Sequence, residues 1–246
     1  MTAQWTIPAT PDRTYAAALF DLDGVLTPTA EVHMKAWAAM FTQYFDRHGI
    51  TPQYTDADYF AYVDGKPRYD GVDACLRSRG VELPWGEPTD TAGTETVCGI
   101  GNVKNDAFME VLRRDGVDPY PGSLRLVLHL AHTGVPMAVV SSSRNATEVL
   151  AASALSTYFP VVVDGNTVAA EGIAGKPAPD MFTLAAQRLG VETADAVVIE
   201  DAFSGVEAGA AGDFGLVVGV NRGAGADELL ARGAEIVVDD LEELMA

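Results

Sequence analysis

Four short runs, far apart in the chain, carry the residue types that chemistry needs: Asp21-x-Asp23-Gly24, Ser141-Ser142-Ser143-Arg144-Asn145, Gly175-Lys176-Pro177 and Glu200-Asp201. Two carboxylates at i and i+2 on a strand face the same side, and the glycine after them permits a sharp exit. Hydroxyls and backbone N–H groups at a helix start form an anion site. Pro177 and Pro179 stiffen the chain around Lys176 and present its ammonium at a set place. Glu200 and Asp201 put two acids directly after an apolar run. Each run also has an ordinary use, since Asp-Gly marks a turn, a serine or Asp201 can cap a helix, and most lysines are solvated. Those uses explain each run alone but not all four together.

All four fall at the carboxyl ends of strand-like runs, where open α/β sheets bind their ligands. Gathered there, Asp21, Asp23, Glu200 and Asp201 would repel one another, at about 4 kcal/mol for two like charges about 4 Å apart in an effective dielectric of about 20. Such a cluster implies a cation. Oxygen-only donors select a hard ion, and Mg²⁺ beside a phosphate is the expected one. Lys176 and the Ser141 hydroxyl supply the positive and donating groups that phosphoryl oxygens need. The chemistry indicated is phosphoryl transfer.

The elements that must position these residues are short apolar runs: Ala16–Phe20, Val135–Val140, Val161–Val163, Ala196–Ile199, Leu216–Val220 and Ile236–Val238. Helix-length stretches separate most of them, one opening at Pro179-Asp180 and closing at Gly190, another running from Ser204 to near Gly212. Strands alternating with helices predict an α/β fold, a doubly wound, Rossmann-like parallel sheet covered on both faces. The alternation breaks once. Glu31–Arg47, Asp56–Val63, Asp70–Arg79 and Asn102–Arg114 read as helices, with the Gly/Pro-rich stretch Leu83–Gly101 as loop. The expected organisation is an α/β core of residues 1–31 and 117–246, with an inserted α-helical cap of residues 32–116.

The chain has 246 residues, 48% apolar and 21% charged, which is globular composition with enough length for a sizeable core. Sixteen basic against 35 acidic residues leave a net charge of −19, a field that repels nucleic acid. The longest apolar runs fall far short of the roughly 18 residues that a membrane span needs. Cys75 and Cys98 are too few for a disulfide framework, so a reducing cytoplasm is the expected setting. Residues 1–15 lack a basic patch followed by an apolar stretch and do not read as a secretory signal; Pro8 and Pro11 make them read as a loose leader.

In order and rough spacing, the four runs resemble the motifs of the haloacid dehalogenase-type phosphotransferases, over nearly everything from Ala16 onward. The resemblance implies that Asp21 attacks phosphorus to form an aspartyl phosphate, with Asp23 as general acid and base. The chemistry agrees, because one carboxylate must be free to attack while the other can hold a proton. The resemblance further implies Lys176 as a catalytic residue, Ser141, Ser142, Ser143, Arg144 and Asn145 around the phosphate, and Asp21, Asp23, Glu200 and Asp201 around Mg²⁺.

Within the insert, Thr29-Ala30-Glu31-Val32-His33 with Trp37, Gly65-x-x-Arg68-x-Asp70-Gly71, and Lys104-Asn105 resemble the β-phosphoglucomutases. By that resemblance His33 links cap closure to Asp23, and Arg68 and Lys104 hold the distal phosphate and the substrate, with Thr29, Trp37 and Gly65 in the binding surface. His33 and Trp37, at i and i+4, also fit one packed helix face. Pro28 and Asp64 depart from the pattern, and the Leu83–Gly101 loop is longer than in compact mutases. The implied activity interconverts β-D-glucose 1-phosphate and glucose 6-phosphate through an aspartyl-phosphate enzyme and glucose 1,6-bisphosphate. The alternative is a Mg²⁺-dependent sugar-phosphate phosphatase using the same residues. Two intact aspartates argue against a catalytically idle sugar-phosphate-binding regulator. The expected partner is a small sugar phosphate, with no nucleic acid or membrane, and the expected state is a monomer.

Overall fold

The computed structural model describes residues 3–245. In chain order the elements are β1 (Ala17–Phe20), α1 (Thr29–His48), α2 (Asp56–Asp58) running into a π-helical turn (Tyr59–Val63), α3 (Arg68–Arg77), α4 (Val97–Asp115), α5 (Pro121–Thr133), β2 (Met137–Val140), α6 (Ala146–Ala152) and β3 (Val161–Val163). They continue with α7 (Gly165–Glu171), α8 (Asp180–Leu189), β4 (Ala196–Glu200), α9 (Phe203–Ala211), β5 (Leu216–Val220), α10 (Ala226–Ala231) and β6 (Ile236–Val238). The chain divides into two compact units, residues 1–28 with 117–246, and residues 29–116. Among the described residues, no helix is long and apolar enough to cross a membrane.

The first unit is built on six parallel strands in the order β3-β2-β1-β4-β5-β6. Ala17 and Leu19, Ala138 and Val140, and Ala196 and Val198 belong to one core cluster, with Met181, Phe182 and Ala185 of α8. Their alternates Ala18, Phe20, Val139, Val197 and Ile199 point the other way and are equally buried. A parallel sheet buried on both faces needs apolar residues at every position, which is why the strands read as unbroken apolar runs. The order reverses at β1, whose neighbours are β2 on one side and β4 on the other. That reversal is the switch point where a doubly wound sheet opens its ligand crevice.

Residues 3–15 are not the loose leader that their prolines suggest. Trp5 and Tyr15 form an antiparallel bridge, and Trp5, Ile7 and Tyr15 are buried. Three large apolar side chains outweigh Pro8 and Pro11, which fall in the turn between them.

The second unit is helical. Trp37, Met40, Phe41, Tyr44 and Phe45 of α1 recur at helical spacing and pack with Tyr69, Val72, Cys75 and Leu76 of α3 and with Val97, Cys98 and Ile100 of α4. Helix α4 starts five residues before the expected Asn102. Thr96 caps it, accepting the Gly99 N–H at 2.9 Å. Gly99 and Gly101, which look like loop residues in sequence, lie inside the helix. At Gly101 the reason is space, since a Cβ there would stand 2.9 Å from the Tyr69 ring. Helix α3 likewise begins at Arg68 rather than Asp70. The expected Asp56–Val63 helix is one turn of α-helix followed by the π turn.

Candidate active site

Strand register sets the first part of the site. Phe20 pairs with Val139 of β2 and with Ile199 of β4. One residue on, the Asp21 N–H donates to the Ile199 carbonyl at 2.9 Å, which leaves the Asp21 side chain beside Glu200 at the carboxyl edge. Lys176 enters between them. Its buried ammonium donates to Asp21 Oδ1 at 2.6 Å, to Glu200 Oε1 at 2.5 Å and to the Val140 carbonyl at 2.8 Å. All three ammonium protons are thereby used, on acceptors delivered by β1, β2 and β4.

The charge balance is unequal. Burial pushes the Asp21 carboxyl well above the usual carboxylate range; the Lys176 ammonium pulls it down, while Glu200 and Asp23 add to the rise. Burial also works against the Lys176 charge, yet Asp21 and Glu200 together hold it above the usual lysine range. Oxygen atoms of Asp21, Glu200 and Asp201 lie within 4.8 Å of one another. Glu200 has both oxygens engaged, the second accepting the Ala202 N–H at 3.0 Å. Three oxygen donors with a surplus of negative charge fit a hard divalent cation.

Asp23 is not one of those three. The strand ends at Phe20, so the i, i+2 rule for strands no longer applies at Asp23. Instead the chain turns: Leu26 and Thr27 N–H donate to the Leu22 carbonyl, the Gly24 N–H donates to the Thr27 carbonyl at 2.8 Å, and Asp23 bridges Thr27. Gly24 has φ +89°, and a Cβ there would stand 1.9 Å from Asp201 Oδ2, so only glycine lets this turn lie against Asp201.

The serine run makes linked turns at the end of β2. Buried Ser141 accepts the Ser143 N–H on Oγ at 3.1 Å, and Ser143 Oγ accepts the Asn145 N–H at 3.1 Å. Asn145 stands at the N-cap of α6 without capping it through its side chain. The Arg144 carbonyl accepts a bond from Asn166 at 2.8 Å, and Asp164 caps α7 through the N–H groups of Asn166 and Thr167. Asp164 and Arg222, the latter just past β5, border this edge and carry no motif that a sequence could flag.

The insert residues form a cluster of their own. Lys104, buried, is hydrogen-bonded to His33 Nδ1, and its ammonium lies 5.0 Å from the Trp37 ring centroid and 5.1 Å from that of Phe108. His33 stacks on Phe108 at 4.0 Å. Arg68 donates to Asn105 Oδ1 at 2.7 Å, and Tyr69 donates to Asn102 Oδ1 at 3.0 Å. His33, Trp37, Lys104 and Phe108 thus share one contact group, while Arg68 joins α4 one residue along at Asn105. Thr29 opens α1 and is buried, and Gly65 turns the chain ahead of α3 with φ +67°.

The profile of the haloacid dehalogenase-like hydrolases matches residues 15–213. A β-phosphoglucomutase of Mycobacterium tuberculosis is 50% identical over 238 residues, 93% of this chain and 91% of that protein. A fructose-1-phosphate phosphatase of Escherichia coli is 33% identical over 196 residues, 79% of this chain and 90% of that protein. The crystal structure of a β-phosphoglucomutase from Clostridium difficile has a TM-score of 0.75 at 25% identity, over 94% of this chain and 93% of that one.

Proposed function

The chain belongs to the haloacid dehalogenase-like hydrolase family, and from that membership we propose that it is a β-phosphoglucomutase. The reaction interconverts β-D-glucose 1-phosphate and glucose 6-phosphate. The observation that carries this reading is the set of acids around Lys176, in a chain half identical to a named β-phosphoglucomutase. An Asp21 oxygen attacks phosphorus as the bond to the sugar oxygen breaks, and Asp23 delivers the proton that the departing oxygen takes up. The aspartyl phosphate passes its phosphoryl group to the free 6-hydroxyl of β-D-glucose 1-phosphate, whose proton Asp23 takes up. The glucose 1,6-bisphosphate so formed reorients, and Asp21 takes back the phosphoryl group at C1 to leave glucose 6-phosphate. Lys176 holds Asp21 in place and offsets charge beside the phosphoryl group, and the Ser141 hydroxyl, which accepts from Ser143, still has its own proton to donate. Asp21, Glu200 and Asp201 would hold Mg²⁺, which when bound neutralises charge on the phosphoryl oxygens. In the helical unit, Arg68 and Lys104 supply the cations that recognise the second phosphate, in a protein whose net charge of −19 otherwise repels it.

A sugar-phosphate phosphatase is the second reading, favoured by the 33% identity to the fructose-1-phosphate phosphatase. There water takes the phosphoryl group from Asp21. The two separate when β-glucose 1-phosphate, Mg²⁺ and catalytic glucose 1,6-bisphosphate are supplied and glucose 6-phosphate and free phosphate are followed together. The mutase forms glucose 6-phosphate in excess, and Arg68→Ala lowers that flux by roughly 10- to 100-fold while sparing p-nitrophenyl phosphate hydrolysis. Free phosphate as the main product, or an equal fall in both activities, would favour the phosphatase.

A further inference from the structure

Three consecutive carbonyls in the turn after Asp21 and Asp23 are held by residues remote in sequence. The Tyr120 N–H donates to Leu26 O at 2.9 Å, Ser123 Oγ donates to Val25 O at 2.6 Å, and Arg222 Nε donates to Gly24 O at 2.9 Å. Arg222 leaves the end of β5 and also reaches beyond β6, its NH1 donating to the Asp239 carbonyl at 2.9 Å. Its guanidinium lies over the Tyr120 ring, with Cζ 3.9 Å from the centroid. Nitrogen NH2 is buried without a partner. The group is therefore placed by two carbonyls and a ring rather than by satisfaction of every donor.

We propose that Arg222 is a positioning residue for Asp23. The Gly24 carbonyl belongs to the residue next to Asp23, and Gly24 lies hard against Asp201 on its other side. That carbonyl lies in the Gly24–Val25 peptide, while the Asp23–Gly24 peptide is held by the Gly24 N–H donating to the Thr27 carbonyl at 2.8 Å. Fixing both restricts the turn from which Asp23 projects, and with it the line along which Asp23 delivers a proton. A planar fork reaches two carbonyls and stacks on a ring at once, which a lysine cannot do. The inference rests on the roles proposed above for Asp21 and Asp23.

The test compares leaving groups. When Asp21 attacks glucose 1,6-bisphosphate, the P–O bond to the sugar breaks and the sugar oxygen takes its proton from Asp23. With p-nitrophenyl phosphate the nitrophenolate leaves without one. Values of kcat/KM report transfer to Asp21 and exclude later hydrolysis of the aspartyl phosphate. Arg222→Met is expected to lower kcat/KM for the bisphosphate by roughly 10- to 100-fold and that for p-nitrophenyl phosphate by less than about threefold. Arg222→Lys, which keeps the charge and reaches one carbonyl, should show the same preference less strongly, and it replaces the Met variant if that fails to fold. Equal losses on both substrates, or no loss, would overturn the proposal. Asp23→Ala run in parallel isolates the premise. If it too slows both substrates equally, Asp23 is not the acid and the Arg222 proposal falls with it. If it is selective while the Arg222 variants are not, only the Arg222 proposal falls.

Discussion

Each unit buries one cation among acids, and the two do opposite things to their carboxyls. In the helical unit Arg79, with a side chain 4% exposed, donates to Asp58 at 2.7 Å and to Ser78 Oγ at 2.7 Å, and lies 5.1 Å from the Phe45 ring centroid. Burial alone would raise Asp58, but bonds from Arg79 and Thr55 bring it below the usual carboxylate range. The neighbouring Cys75 thiol is pushed by burial up to about 12 and stays neutral. One cation thus answers one anion. In the sheet unit Lys176, 1% exposed, faces two acids directly with Asp201 close by, and Asp21 is raised. A charge pair that serves only the fold is balanced within itself, whereas a site kept for a ligand holds a surplus that the ligand must complete.

Asp21→Asn tests that contrast most severely. Turnover should fall by at least about 10³-fold, because an amide is a poor nucleophile. Melting near neutral pH should change little, since the amide keeps an oxygen for Lys176 while surplus negative charge is removed. A large drop in melting temperature would make Asp21 a structural residue like Asp58.

Next in size are the two cations. Lys176→Met strands Asp21 and Glu200 in the interior and should cost about 3–5 kcal/mol in urea titrations. Arg79→Met should cost less, about 1–3 kcal/mol, because Asp58 retains some contact with water and its bonds from Thr55. Adding Asp58→Leu to Arg79→Met should recover part of that loss, since an unpaired buried charge is removed. Hydrolysis of p-nitrophenyl phosphate by Arg79→Met should stay within about twofold of wild type. A tenfold loss there would erase the distinction between the two centres.

The smallest effect is in the pH dependence of stability without metal. Asp58 has a lowered carboxyl pKa, so its contribution is present above the unfolded value near pH 4 and is lost as pH falls through the lower folded value. Asp21 has a raised one, so its contribution is full below about pH 4 and is lost as pH rises through the folded value. Melting curves between about pH 3 and 7 should show the gap between wild type and Asp58→Asn widening with pH. The gap between wild type and Asp21→Asn should shrink. Parallel gaps would mean that the two carboxyls sit in equivalent surroundings.

The sheet was legible because a strand buried on both faces has no choice but an unbroken apolar run, and β1 to β6 all carry one. Asp21, Lys176, Glu200 and Asp201 were legible because each follows or faces such a run's end. Asp23 was harder, because its direction depends on a turn whose shape comes from Gly24 lying against Asp201. The start of α4 was hidden by Gly99 and Gly101, residues that mark loops until close packing requires them. Arg79, in the run Arg77-Ser78-Arg79-Gly80, reads as a solvated helix end, and only tertiary contacts bury it. Arg222 is invisible for a related reason: its acceptors are backbone carbonyls at Gly24 and Asp239, and a carbonyl leaves no trace in the alphabet of side chains.

The strand order also governs what happens while the chain is being made. Strand β1 pairs only with β2 and β4, and the nearer of these begins at Met137, more than a hundred residues later. At roughly 5–20 residues per second, synthesis leaves the four apolar residues of β1 without a partner strand for about 5–25 s. The helical unit, continuous from Thr29 to Gly116, is fully synthesised in that interval. The unit that balances its own buried charge is thus complete as a chain before the unit that gathers the acids has more than one strand.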